Sequence, residues 1–154
     1  QGYGYNVETL YHEIGKILGL EKKHNLVLIG AGNLGKAILR YSDFSRRGFV
    51  FKGVFDANPE VVGNKLNDLV VQDVSALKDF IKDHNIEIAV LTIPKTNARE
   101  LAMNLEKCGI KAIWNFAPVD LNLGSEITVE NVHLSDSLMT LSYRVKHADN
   151  KPKK

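Results

Sequence analysis

The apolar positions of this chain fall first into a helical pattern and then into an alternating one. Val7, Leu10, Ile14, Ile17 and Leu18 recur at the spacing of one helix face. Asn6 stands where an N-cap belongs, Glu8 suits the positive end of the helix dipole, and Gly19 supplies the stop. "EKKHN", residues 21–25, reads as a polar connector. Beyond it, short apolar runs predict strands over 26–30, 49–56, 68–72, 86–94, 111–116 and 126–132. Between them the spacing predicts a helix over 33–45, with Leu34, Ala37, Ile38 and Tyr41 inward. "ANPEVVG" reads as a turn with a short helical piece. Ser75 is expected to cap a helix carrying Leu77, Phe80 and Ile81. Thr96 is expected to cap another, carrying Leu101, Ala102, Leu105 and Cys108 and ending at Gly109. Strands alternating with helices at this pace imply an α/β fold, doubly wound around a mostly parallel sheet, with ligand chemistry at the carboxyl ends of the strands.

One helix is left over. Leu134, Leu138, Leu141 and Val145 follow four-three-four spacing, a narrow apolar seam after the sheet is complete. Either it packs on its own domain or it docks on a second subunit, and the amino-terminal helix raises the same question.

Composition narrows the class. The 154 residues are 44% hydrophobic and 25% charged, as in ordinary soluble globular chains. Twenty basic against eighteen acidic residues leave a net charge of +2, too balanced for this segment alone to bind nucleic acid. Much of the excess lies in Lys146 to Lys154, read as a solvated tail. The single cysteine, Cys108, excludes an internal disulfide framework and suits a reducing cytoplasm; its own reading is a small buried apolar residue. No apolar run approaches ~18 residues, so no membrane span is expected. "QGYGYNVETL" has neither a basic start nor an apolar signal core, and without an initial Met it suggests a processed or excised fragment.

The chemistry is concentrated in "LVLIGAGNLGKAIL", residues 26–39. Gly30, Ala31, Gly32, Asn33, Leu34 and Gly35 satisfy G-x-G-x-x-G where a strand ends and a helix begins. Gly30 permits a tight turn, Gly32 removes a Cβ that would block a pyrophosphate, and Gly35 lets helix and strand approach. Asp56 ends the second strand, 21 residues beyond Gly35, where a carboxylate accepts hydrogen bonds from an adenosine ribose. It would repel a 2′-phosphate, and no arginine follows it in "DANPE", so NAD(H) is favoured over NADP(H). The bland alternative for Asp56 is a turn-forming residue before Asn-Pro. Together the two features give a Rossmann-like dinucleotide-binding domain.

A dehydrogenase also needs a proton donor or acceptor near the nicotinamide. His12, His24, His84 and His147 read as surface residues, leaving His133, which opens the last helix. The loops "TIPKT" and "NFAPV" are apolar and proline-stiffened, with Asn115 as their main amide. They offer no acid, base, nucleophile or metal cluster, and no separate substrate domain is present. The reading is a cofactor domain without catalytic machinery. A dehydrogenase fragment, a CoA-binding α/β domain and a purely structural dimerisation module remain as alternatives.

"GYGYNVETLYHEIGKILGL", "LIGAGNLGKAILRY", "VFDANPEVVG", "LTIP", "GIKAIWNFAPVDLN" and "ITVENVHLSDSLMTLSY", in this order, resemble the carboxyl-terminal part of the Rex redox-sensing transcriptional repressors over residues 2 to about 145. The resemblance implies a homodimeric bacterial repressor that senses NADH against NAD⁺. It implies a wing remnant and linker helix in 1–20, a Rossmann domain in 21–131, a dimerising helix swapped onto the partner in 132–147 and a disordered basic tail in 148–154. Operator DNA would be held by an amino-terminal winged-helix domain that this sequence lacks. Residue by residue, it puts Gly30 to Gly35 at the pyrophosphate and Asp56 at the ribose. Thr92, Ile93, Pro94, Asn115, Phe116, Ala117 and Pro118 would line the nicotinamide end, with Tyr41 near both nicotinamide and dimer contact. Leu134, Leu138, Leu141 and Val145 would form the swapped seam. Where the family commonly has "NVDL", this chain has "NVHL": His133 cannot replace an anion in a salt bridge.

Overall fold

A computed structural model describes residues 6–18 and 23–148. The expected wing remnant, the stop at Gly19 and the tail after Ala148 lie outside the described residues; Ala148 itself closes the last helix. Helix α1 (Val7–Leu18) leads to β1 (His24–Ile29), α2 (Asn33–Arg40), the short α3 (Asp43–Arg46) and β2 (Phe49–Asp56). A small hairpin, β3 (Lys65–Leu66) and β4 (Leu69–Asp73), precedes a 3₁₀ turn and α4 (Leu77–Asp83). Then come β5 (Ile88–Leu91), α5 (Lys95–Lys107), β6 (Ala112–Asn115), β7 (Thr128–Asn131) and α6 (Leu134–Ala148).

The seven strands form one sheet in the order β3-β4-β2-β1-β5-β6-β7. Only β3 runs antiparallel to its neighbour; the other pairings are parallel. Period-two alternation sends alternate side chains to two cores. On one face Val27, Ile29, Phe55, Ala89, Leu91 and Ile113 pack under α4 and α5, through Leu77, Ile81, Ala98, Ala102 and Leu105. On the other, Leu26, Leu28, Val54, Val71 and Val90 gather under Leu39 of α2. Both faces of the middle strands are therefore buried, and β1 and β5 read as nearly unbroken apolar runs.

Several expectations are corrected. The helix read over 33–45 is two, because Tyr41 is extended (φ −74°, ψ 101°) and ends α2. Its buried face is Gly35, Ile38 and Leu39; Leu34, Ala37 and Tyr41 are exposed. The inward stripe was read one position off because a glycine carries no hydrophobic signal. Ser75 caps nothing: Asp73 caps the 3₁₀ turn Val74–Ala76, its Oδ1 accepting the Ser75 N–H (2.9 Å), which holds the Asp73 carboxyl below its ordinary pKa, and α4 itself follows Ala76 with no side-chain cap. Pro94, not Thr96, precedes α5, and no side chain caps that helix. The single strand expected at 68–72 is the second arm of the hairpin, and β1 begins at His24, inside the expected connector. Asn6 is the cap it was expected to be, its Oδ1 accepting the Glu8 N–H at 3.0 Å.

The two end helices stand apart from these cores. In α6 no residue is buried, and Leu134, Leu138, Leu141 and Val145 are each more than half exposed. In α1 Val7 and Ile17 are 74% and 83% exposed. Among its described side chains, Tyr11 lies under Arg47 (4.1 Å to the ring centroid), and Glu8 accepts from Arg46 at 3.4 Å.

Phe55 is fully buried and meets Phe80 edge-on at 5.1 Å. Phe55→Ala is expected to cost about 3–5 kcal/mol, read in urea unfolding as a lower midpoint at unchanged slope.

Candidate functional site

Strand order brings the carboxyl ends of β2, β1, β5 and β6 side by side. The chain leaves β1 toward β2 and later returns to β5 on the other flank, so a crevice opens at that reversal. Four loops border it, those following Ile29, Asp56, Leu91 and Asn115.

The first loop is shaped by what its glycines lack. Gly30 has φ +107°, in the left-handed region, and its N–H donates to the Phe55 carbonyl (2.8 Å). A Cβ on Gly30 would run into the Thr92 carbonyl oxygen, and one on Gly35 into the Gly30 carbonyl oxygen. Both would also stand 2.9 Å from the Thr92 hydroxyl. A Cβ on Gly32 would meet nothing within 4 Å. Two glycines are thus demanded by the fold, while the third keeps open space open. Gly32 precedes α2, and no side chain caps the N–H groups of that first turn. Those donors and the helix dipole suit an anion.

Asp56, half-buried at the end of β2, is held by two backbone donors. Ala31 N–H reaches its Oδ2 and Asn58 N–H its Oδ1, each at 2.8 Å. The turn-forming reading of Asp56 is therefore met, and it leaves each oxygen a further acceptor site. The carboxylate is fixed in orientation before anything binds.

Thr92 does something the sequence reading missed. Its hydroxyl lies 2.8 Å from the Gly30 carbonyl and 3.2 Å from that of Ile29, sharing one proton between them, while its N–H donates to Ile29 O at 2.9 Å. It clamps the glycine turn to β5. The one available signal was a hydroxylated β-branched residue immediately after the most apolar strand. Ile93 is half-buried against the α4–α5 core, and Pro94 is exposed at the start of α5.

Asn115, expected to line the nicotinamide end, turns its amide inward. It is 1% exposed. Its Nδ2 donates to Asn131 Oδ1 (2.9 Å) and to the Ala117 and Val119 carbonyls (3.2 Å each), and its Oδ1 accepts the Ala117 N–H (3.0 Å). Asn115 folds the loop 115–119 around itself. What the loop presents is apolar: Phe116 is half-buried, Ala117 buried and Pro118 exposed. Phe116 meets Trp114 edge-on (4.6 Å), Trp114 meets Phe44 (5.6 Å), and Phe44 meets the exposed Tyr41 (4.8 Å). Tyr41 thus joins the nicotinamide-side expectation only through a row of aromatic rings.

His133 is exposed, and its carbonyl accepts the Asp136 N–H (3.1 Å) at the start of α6. His24 and His84 lie at the amino ends of the strands, stacked on Phe49 and Phe80. A concavity of about 670 Å³ at that same end, among Lys78, Lys82, Lys107 and Lys111, is remote from the crevice. Among the described residues no group of three His, Cys, Asp or Glu side chains could hold a metal ion. Among them, too, no helix is long and apolar enough to cross a membrane.

A protein-family model described as "CoA binding domain" matches residues 21–119. The redox-sensing transcriptional repressor Rex of Clostridium perfringens strain SM101 is 55% identical over 149 residues, spanning 97% of this chain and 70% of that protein. The crystal structure of RSP in complex with β-NADH superposes with a TM-score of 0.86 at 52% identity, covering 96% of this chain and 71% of RSP. RSP with β-NAD⁺ and operator DNA gives 0.85 at 53% identity, over 97% and 69%. With a glycine turn, a fixed Asp56 and relatives this similar, the chain belongs to the Rex family of redox-sensing transcriptional repressors, within the broader family of CoA-binding domains.

Proposed function

We propose that this chain is the NAD(H)-binding sensor and dimerisation part of a redox-responsive repressor, acting as a regulator rather than an enzyme. The observation that carries this reading is the pairing of an unobstructed Gly32 with a carboxylate already oriented by two backbone N–H groups. A diphosphate over the first turn of α2 would meet its free donors, and ribose hydroxyls would meet the remaining acceptor sites of Asp56. The same carboxylate disfavours a ribose bearing a phosphate. That speaks against NADP(H), and against CoA despite the name of the matching family model.

The nicotinamide half would rest against Ile93, Pro94, Phe116, Ala117 and Pro118, with Thr92 behind them as the clamp. NAD⁺ carries a cationic ring and NADH a neutral one. Burying an unpaired cation among apolar side chains is costly, so a closed pocket prefers NADH. In the single chain this half is open, and the exposed seam of α6 supports closure by a second copy, with residues 132–147 reaching across. NADH then biases the dimer toward one geometry, lowering DNA affinity in a repressor that carries a DNA-binding domain outside these 154 residues. Residues 21–131 are the cofactor unit in this reading, and the cytoplasm is the compartment.

Isothermal titration is expected to give tighter binding of NADH than of NAD⁺. Asp56→Ala weakens both by the same factor, about tenfold or more for a lost charged hydrogen bond. CoA competes with neither. Equal affinities for the two redox forms would defeat the sensing account. The glycines separate fold from binding. Gly32→Ala leaves the melting temperature unchanged while weakening NADH, whereas Gly35→Ala lowers it by several degrees, since each kcal/mol lost shifts a domain of this size by about 2–4 °C. Differential scanning calorimetry beside titration checks both. Leu138→Asp places a charge in the middle of the α6 seam, and sedimentation is expected to shift from dimer to monomer with the sheet intact by circular dichroism.

A further inference from the structure

The loop that borders the inner half of the crevice and the root of α6 meet at one buried residue. Asn115 is the only polar or charged side chain among the buried residues described. Toward the crevice it holds the loop, through Ala117 and Val119. In the other direction its carbonyl accepts the Val132 N–H (2.8 Å), and its amide donates to Asn131 Oδ1 (2.9 Å). Asn131 is the last residue of β7, paired with Asn115 across the parallel ladder, and α6 begins at Leu134. β7 is the edge strand, so among the described residues no further strand pairs with its far side.

We propose that Asn115 and Asn131 form a positioning pair that carries occupancy of the nicotinamide half of the crevice to the orientation of α6. The inference rests on the crevice being the NAD(H) site. Asn115 Nδ2 has two protons and three acceptors within 3.2 Å: Ala117 O, Val119 O and Asn131 Oδ1. The three compete. If a bound ring shifts Ala117 or Val119 by a fraction of an ångström, the protons redistribute, and the share reaching Asn131 changes with them. The low-dielectric surroundings raise the stakes of that exchange, because an unsatisfied buried amide is costly. Asn131 is solvent-exposed and outside the binding loops, so it can be altered without touching the cofactor's walls.

The test uses Asn131→Ala, which removes the acceptor, and Asn131→Asp, which keeps one. NADH affinity is measured by titration, and exchange of the α6 amides by hydrogen–deuterium exchange with and without NADH. The unsubstituted chain is expected to change α6 exchange by about tenfold on binding NADH. Asn131→Ala is expected to keep NADH affinity within about threefold, as loss of one exposed-side hydrogen bond allows, while losing the α6 response. Asn131→Asp restores that response. The inference is overturned if Asn131→Ala retains the full response, or if it loses affinity and response together. It is also overturned, with the cofactor reading left standing, if the unsubstituted chain binds NADH and α6 does not respond. Failure of that chain to bind NADH at all overturns the cofactor reading and this inference with it.

Discussion

The crevice depends on one carbonyl group, that of Gly30. The absence of a Cβ on Gly35 lets α2 close down on this oxygen, and the Thr92 hydroxyl, 2.8 Å away, holds it against the end of β5. Because Gly30 itself sits at φ +107°, the turn takes no other residue without strain. The result is a helix start and three strand ends locked in fixed relation, with Gly32 facing open space. The other features of the site are arranged around this turn. One of the two N–H groups that orient Asp56 belongs to Ala31, the residue immediately after Gly30, and the N–H of Gly30 is tied to Phe55, the residue before Asp56.

How much of this was legible in the sequence follows from where the information resides. The strands and their carboxyl-end loops were legible because period and burial are local. The glycine motif was legible because its three positions answer steric demands on one short turn. The inward face of α2 was misread because its key contact is made by Gly35, whose contribution is an absence. Asn115 is expected at the site, and the sequence carries no signal for where its amide turns. An amide next to a cofactor loop looks like a ligand contact, and only the register of β6 with β7 reveals Asn131 as its partner. Ser75 and Thr96 have capping chemistry, yet Asp73 and Pro94 hold the cap positions, since either side of a helix start can supply the group and tertiary context decides.

The distribution of apolar surface sets the limits of the single chain. The two cores draw on the sheet, α2, α4 and α5, while α6 contributes no buried side chain. A helix with four apolar residues in one seam, each more than half exposed, gains little from its own chain. Its stability as a helix calls for a surface to bury that seam, since helices of this length are marginal in water without tertiary packing. The Tyr41–Phe44–Trp114–Phe116 row ends in an exposed tyrosine, so the sheet face beside α2 shares that incompleteness.

The two halves of the crevice therefore differ in kind, and the difference suits a sensor. The half around Gly30–Gly35 and Asp56 is rigid, its groups oriented by backbone hydrogen bonds and forbidden Cβ positions; in the proposed reading it would meet the part common to both redox forms of a dinucleotide. The half around Ile93, Pro94, Phe116 and Pro118 is partly open and apolar, and only there do the two forms differ in charge. A uniform grip on the shared part sets overall affinity but cannot shift an equilibrium between conformations. In the proposed reading discrimination would fall to the apolar half, which is joined through Asn115 to the root of α6. If the loop 115–119 meets the nicotinamide as proposed, stiffening it would tighten binding and weaken the response.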